Sequence, residues 1–167
     1  MKNQAHPLHV HRVEGRVLFL DFDGVLNATS GSAEVVRRFV WAPQLEVALR
    51  PFPEVCVVIH AAVREHDNTA ALIRHMGLLG GRVIDIAPSG LTHWTAIQQW
   101  LARHPEIADY CILDSDARVY PADCEALIAC APTLGISDEL TRARLRQWLV
   151  AGRQAHAQQH APALACA

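Results

Sequence analysis

Apolar residues in this chain fall into short runs of two kinds. Val17-Leu18-Phe19-Leu20 and Val55-Cys56-Val57-Val58-Ile59 are continuous and rich in branched or bulky side chains, the pattern of strands buried on both faces of a parallel sheet. Residues 82–86, 110–113 and 126–129 read as three further strands. Between these runs the period lengthens to that of a helix. Residues 68–76 carry Ala70, Leu72, Ile73 and Met76 on one face and stop at Gly77, while residues 92–104 carry Trp94, Ile97, Trp100 and Leu101 with Pro105 beyond. Residues 44–49 follow Pro43, a residue favoured near a helix start. Residues 138–150 place Leu140, Leu145 and Leu149 inward behind a cap at Ser137 or Asp138. Strands alternating with helices predict an α/β, three-layer Rossmann-like fold, with a central, mainly parallel sheet of about five strands.

The chain shows no repeat, linker or second core, so one domain is expected over residues 15–150. A flexible arm is expected before it (1–14) and a disordered tail after it (151–167), where Ala, Gln and His lack apolar periodicity. Connections of about thirty residues or fewer leave no room for a large cap domain. Residues 28–40 could form a small flap or a surface loop leading into a helix. With 167 residues, 51% of them hydrophobic, the chain can bury a substantial core. A net charge of -2 gives no basic field for extended nucleic-acid binding. The five cysteines make no C-x-x-C pair, and two of them, Cys56 and Cys111, sit in apolar runs, which reads as reduced core thiols. With no secretory signal pattern and no apolar run of membrane-span length, a cytoplasmic location is expected. His6, His9 and His11 could chelate a transition metal, but they precede the first strand and have no acids or cysteines beside them.

The chemistry concentrates where the first strand ends, at Asp21-Phe22-Asp23-Gly24. Side chains alternate along a strand, so Asp21 and Asp23 leave on one face. Two carboxylates held together repel unless a cation lies between them, and an oxygen site suits magnesium. Gly24 lets the backbone turn sharply and approach a ligand. In a parallel sheet, ligands gather outside the carboxyl ends of the strands, where His60 and Asp114 are also expected.

The run from Val17 to Asn27 resembles the first motif of the haloacid dehalogenase-like (HAD) phosphohydrolases. Val57 to Arg64, Gly90-Leu91-Thr92-His93, Trp100 to Pro105, Ile112-Leu113-Asp114-Ser115-Asp116 and Gly135-Ile136-Ser137 follow in the family's order. Over roughly residues 15–150 the pattern is similar to a small subgroup related to the phosphatase-like domains of bacterial RNA repair proteins. The resemblance implies a catalytic pair, Asp21 as nucleophile and Asp23 as general acid and base. It implies Mg2+ held by Asp21, Asp23 and Asp114, with Asp116 or Ser115 completing the site. It also implies a phosphorylated small molecule or a phosphorylated macromolecule end as substrate, with Gly24 close to the phosphate.

Two family features are altered. The second motif usually ends in a hydroxyl residue, and here the corner reads His60-Ala61-Ala62; Arg64, a permanently charged fork, is the preferred substitute, with His60 as a further donor. The third motif is usually a lysine, yet the only lysine is Lys2, and His93 stands where that cation is expected. Each missing donor in a phosphate site typically costs about two to three powers of ten in rate. The competing reading is therefore a catalytically impaired relative that binds a phosphorylated ligand or protein partner. A response-regulator-like receiver fits less well, since its acid pair precedes a different strand and it needs a late lysine.

Overall fold

In the computed structural model, residues 15–31, 38–60 and 69–159 are described. Five strands, β1 (Gly15–Leu20), β2 (Val55–Ile59), β3 (Val83–Ile86), β4 (Ile107–Asp114) and β5 (Leu127–Ala129), pair in the order β3-β2-β1-β4-β5. All four pairings are parallel. Among the described residues four α-helices accompany them: α1 (Ala42–Leu49), α2 (Thr69–His75), α3 (His93–Arg103) and α4 (Glu139–Gln159). The Rossmann-like arrangement expected from the alternating patterns is present, and the described residues include no large cap.

The order follows from handed connections. From β1 the chain moves outward through α1 to β2 and through α2 to β3, then crosses back through α3 to β4 on the far side of β1. Right-handed crossovers in opposite directions must lie on opposite faces of the sheet. Accordingly, α1, α2 and α4 cover one face through Leu45, Leu49, Leu72, Leu145 and Leu149 against Leu18, Leu20, Val57 and Ile59. The other face carries α3, whose Ala96, Ile97 and Trp100 pack on Val17, Phe19, Val58 and Ile112. The direction of winding reverses between β1 and β4, and the crevice outside their carboxyl ends is where such sheets hold ligands.

Two elements extend by three residues or more beyond their predicted ends. β4 starts at Ile107 rather than Tyr110, because Asp109 answers a buried cation: Arg16 Nε donates to Asp109 Oδ2 at 2.8 Å. The last helix, expected to end at residue 150, continues to Gln159. Here the same guanidinium donates to the carbonyls of Leu149 and Trp148 at 3.1 and 2.7 Å and lies 4.3 Å from the centre of the Trp148 ring. Gly152 allows that approach, since a Cβ there would come within 2.1 Å of the guanidinium carbon. Of the two candidate caps for α4, Asp138 serves, its Oδ2 accepting from the Thr141 N–H at 2.8 Å. No helix among the described residues is long and apolar enough to cross a membrane.

Candidate active site at the carboxyl edge of the sheet

Strand parity gathers the site. On β1, β2 and β4 the residues facing α3 include Phe19, Val58 and Ile112, and two positions on along each strand stand Asp21, His60 and Asp114. All three are buried, with Asp21 7% exposed and the other two fully enclosed. His93, the first residue of α3, closes over the same spot. One ring nitrogen from each histidine and one oxygen of Asp114 lie within 4.8 Å of one another.

Asp114 is the hub. Its Oδ2 lies 2.7 Å from His93 Nδ1 and accepts from the Tyr120 hydroxyl at 2.6 Å, while Oδ1 accepts from the Asp116 N–H at 2.8 Å. Burial pushes this carboxyl upward, but the donors outweigh it and the net shift is downward. Asp21 shifts the other way, to about 7, because burial and the neighbouring Asp114 charge both resist its ionisation. Burial and Asp114 likewise raise the Tyr120 phenol, so it stays a donor.

The turn after β1 is built around Asp23. Its side chain is exposed and accepts from Asn27 Nδ2 at 2.9 Å, and the Gly24 N–H donates to the Asn27 carbonyl at 2.7 Å. The Ser115 hydroxyl donates to the Asp23 carbonyl at 2.9 Å, tying this turn to the loop after β4. Gly24 has φ of +74°, and a Cβ there would sit 2.5 Å from Ser115 Cβ and 3.1 Å from Pro132 Cα. Glycine is required both by its conformation and by the lack of space.

The sequence-predicted residues are therefore distributed unevenly. Asp21, His60, His93 and Asp114 converge, and Asp23 and Gly24 form the adjoining turn. Asp116 caps the short turn Ala117–Val119 and forms a fork with Arg118, with contacts of 2.8 and 3.1 Å that hold its carboxyl low. Arg64 and residues 32–37 of the expected flap lie outside the described residues. Beside that segment, Phe39 packs edge-on against Phe22 with centroids 5.0 Å apart. Sequence reasoning missed Tyr120. A tyrosine six residues beyond a strand end carries no periodic signal, and only the turn at residues 117–119 swings it back.

The donor set can be tested for a divalent cation. Each carboxylate oxygen offers two acceptor positions, and among the described residues Asp114 uses both on Oδ2 and one on Oδ1, leaving one. Beside it, Asp21 is a buried carboxylate whose ionisation Asp114 opposes. A cation bound by both would remove that opposition, and the oxygen chemistry suits magnesium. The arrangement fits such an ion.

A family model described as the HAD domain in Swiss Army Knife RNA repair proteins matches residues 17–141, a span that contains each of these site residues. No curated protein and no solved structure matches the chain.

Proposed function

The chain belongs to the family of HAD domains found in Swiss Army Knife RNA repair proteins, and from that premise we propose that it is a magnesium-dependent phosphohydrolase working through an aspartyl-phosphate on Asp21. The observation that carries the reading is the placement of Asp21, the residue after β1, beside Asp114, the last residue of the neighbouring β4, on one face at the point where the direction of winding reverses. Asp21 attacks phosphorus, so that one O–P bond forms as the ester O–P bond breaks. Asp23 gives its proton to the departing oxygen. Asp23 then takes a proton from the water that attacks the phosphoryl group, releasing phosphate and restoring Asp21. Bound by Asp21, Asp114 and the Asp23 carbonyl, with Ser115 or Asp116 at the margin, Mg2+ would supply charge neutralisation at the phosphate oxygens. Gly24 keeps the backbone close to the phosphate, and His60, His93 and Arg64 are the candidate donors to it. The substrate class is a phosphorylated small molecule or a phosphorylated macromolecule end.

The corner at residues 60–62 lacks a hydroxyl, and this favours a second reading, a protein that binds a phosphorylated ligand with little turnover. Hydrolysis of an aryl phosphate by the native chain and by Asp21→Asn, with and without Mg2+, separates the two. The phosphatase reading expects a cation-dependent rate that falls at least about 100-fold in the variant. Equal rates in the two proteins would overturn it.

A further inference from the structure

The two residues that depart most from the family pattern are both histidines, and both face one oxygen. His93 Nδ1 and His60 Nδ1 lie 2.7 and 3.9 Å from Asp114 Oδ2, and their rings meet edge to face with centroids 5.1 Å apart. Neighbouring donors around a tetrahedral ion with bonds of about 2.1 Å are roughly 3.4 Å apart, a spacing that the two observed distances straddle, and the third pair, between the rings, lies within 4.8 Å. Small ring rotations would even them out. We propose that His60, His93 and Asp114 form a binding site for a borderline transition-metal cation of the zinc class, lying within the same basin as the oxygen site for magnesium.

Ligand chemistry argues for the class of ion. Imidazole nitrogen suits zinc, cobalt, nickel and iron, whereas magnesium keeps to oxygen and water. Two imidazoles with one carboxylate is a ligand set found at catalytic zinc, with a further position left for water or substrate. The burial of His60 and Asp114 keeps two of the three ligands close to their binding positions before an ion arrives. Tyr120 supplies the outer support, its hydroxyl holding Asp114 Oδ2 at 2.6 Å, as partners of metal ligands commonly do. Binding exchanges the proton between His93 and Asp114 for the cation, and the proton leaves to solvent.

The charge arithmetic points the same way. Asp21, Asp23 and Asp114 bring three carboxylates to one rim, and the chain's only lysine is Lys2, outside the described residues. A dication on the two histidines would supply positive charge where the family pattern has its lysine. In this respect the inference deepens the phosphatase reading and rests on it, while ion binding itself is measured separately.

The test is titration of Co2+, a coloured stand-in for zinc, into the metal-stripped full chain, with Zn2+ competition. The same titration is run on His93→Ala, on His60→Gln and on a variant with His6, His9 and His11 replaced by alanine. One equivalent of cobalt with intense visible bands is expected in the native chain and in the triple variant. Affinity should fall at least about 10–100-fold in His93→Ala and His60→Gln. His60 is fully enclosed, so if His60→Gln does not fold by circular dichroism, His93→Ala, whose side chain is 21% exposed, decides. Unchanged binding in His93→Ala, or loss of the bands in the triple variant, overturns the site. Tight cobalt binding with no phosphate turnover would keep this inference and remove the phosphatase reading; magnesium-dependent turnover with cobalt binding indifferent to His93 would do the reverse.

Discussion

His93 Nδ1 and Tyr120 Oη converge on a single atom, Asp114 Oδ2, at 2.7 and 2.6 Å. One donor opens α3 and the other follows the turn after β4, so a single carboxylate oxygen ties two segments to the end of β4. Donors that share an acceptor polarise one another and compete for its lone pairs. The substitutions His93→Ala and Tyr120→Phe are therefore expected to be non-additive. Each should lower the unfolding free energy by about 1.5–3 kcal/mol, the usual value for a hydrogen bond to a charged group. A double-mutant cycle in urea should give a coupling of about 0.5 kcal/mol or more; strictly additive losses would show that the two bonds are independent.

The same donors make part of the stability depend on pH. Burial raises the Asp114 carboxyl, its hydrogen bonds lower it further than that, and the folded value ends below the ordinary range. A lowered carboxyl stabilises the fold above the unfolded pKa of about 3.9, and the contribution is lost as pH falls through the folded value. The cost of Tyr120→Phe in the metal-free protein should accordingly be largest near neutrality and shrink as pH falls below the unfolded value and through the lowered folded one. Urea midpoints across that range check it, and a cost that grows on acidification would reverse the sign.

At Gly24, alanine would have to accept φ of +74° and a Cβ 2.5 Å from Ser115 Cβ. Left-handed backbone costs a residue with a side chain about 1–3 kcal/mol, and the collision adds to it. Separation of the Asp23 turn from Ser115 is the expected relief, so Gly24→Ala should lose divalent-cation binding by more than its stability loss explains. Calorimetric Mg2+ titration at a temperature where the variant is folded would show this.

At the opposite end of β1, Arg16 joins Asp109, Leu149, Trp148 and, at 3.8 Å, Glu54. Arg16→Met should destabilise by about 2–4 kcal/mol, because it removes the charge-assisted hydrogen bonds that the buried guanidinium makes to two carbonyls and to Asp109. Lysine cannot reproduce the planar fork, and Arg16→Lys should recover only part of the loss. Chemical denaturation measures both, and cation binding at the far edge should be unchanged in the folded variants.

Much of the fold was legible because its signals are local. The continuous, β-branched run Val55–Ile59 suits a buried strand, and the alternation from Phe19 to Asp21 puts that acid on the face that α3 covers before any partner strand is known; Asp23 falls past the strand end, in the turn, where alternation no longer applies. What escaped prediction depends on contacts distant in sequence. The start of β4 depends on Arg16, 93 residues from Asp109; the length of α4 depends on the same guanidinium; and Tyr120 enters the site through a turn with no apolar pattern. His60 and His93 were visible as departures from the family, but their meeting at Asp114 required the strand order.

That strand order has one more consequence. β1 is the middle strand, hydrogen-bonded to β2 on one side and β4 on the other along its length, and it carries the acid turn at its end. A strand with no exposed edge cannot fray separately from its neighbours. Amide protons at residues 17–20 should then exchange with deuterium only when the whole molecule opens, at the free energy of global unfolding. The reactive rim is thus anchored to the last part of the protein to come apart, and heat should abolish cation binding and tertiary structure in a single step.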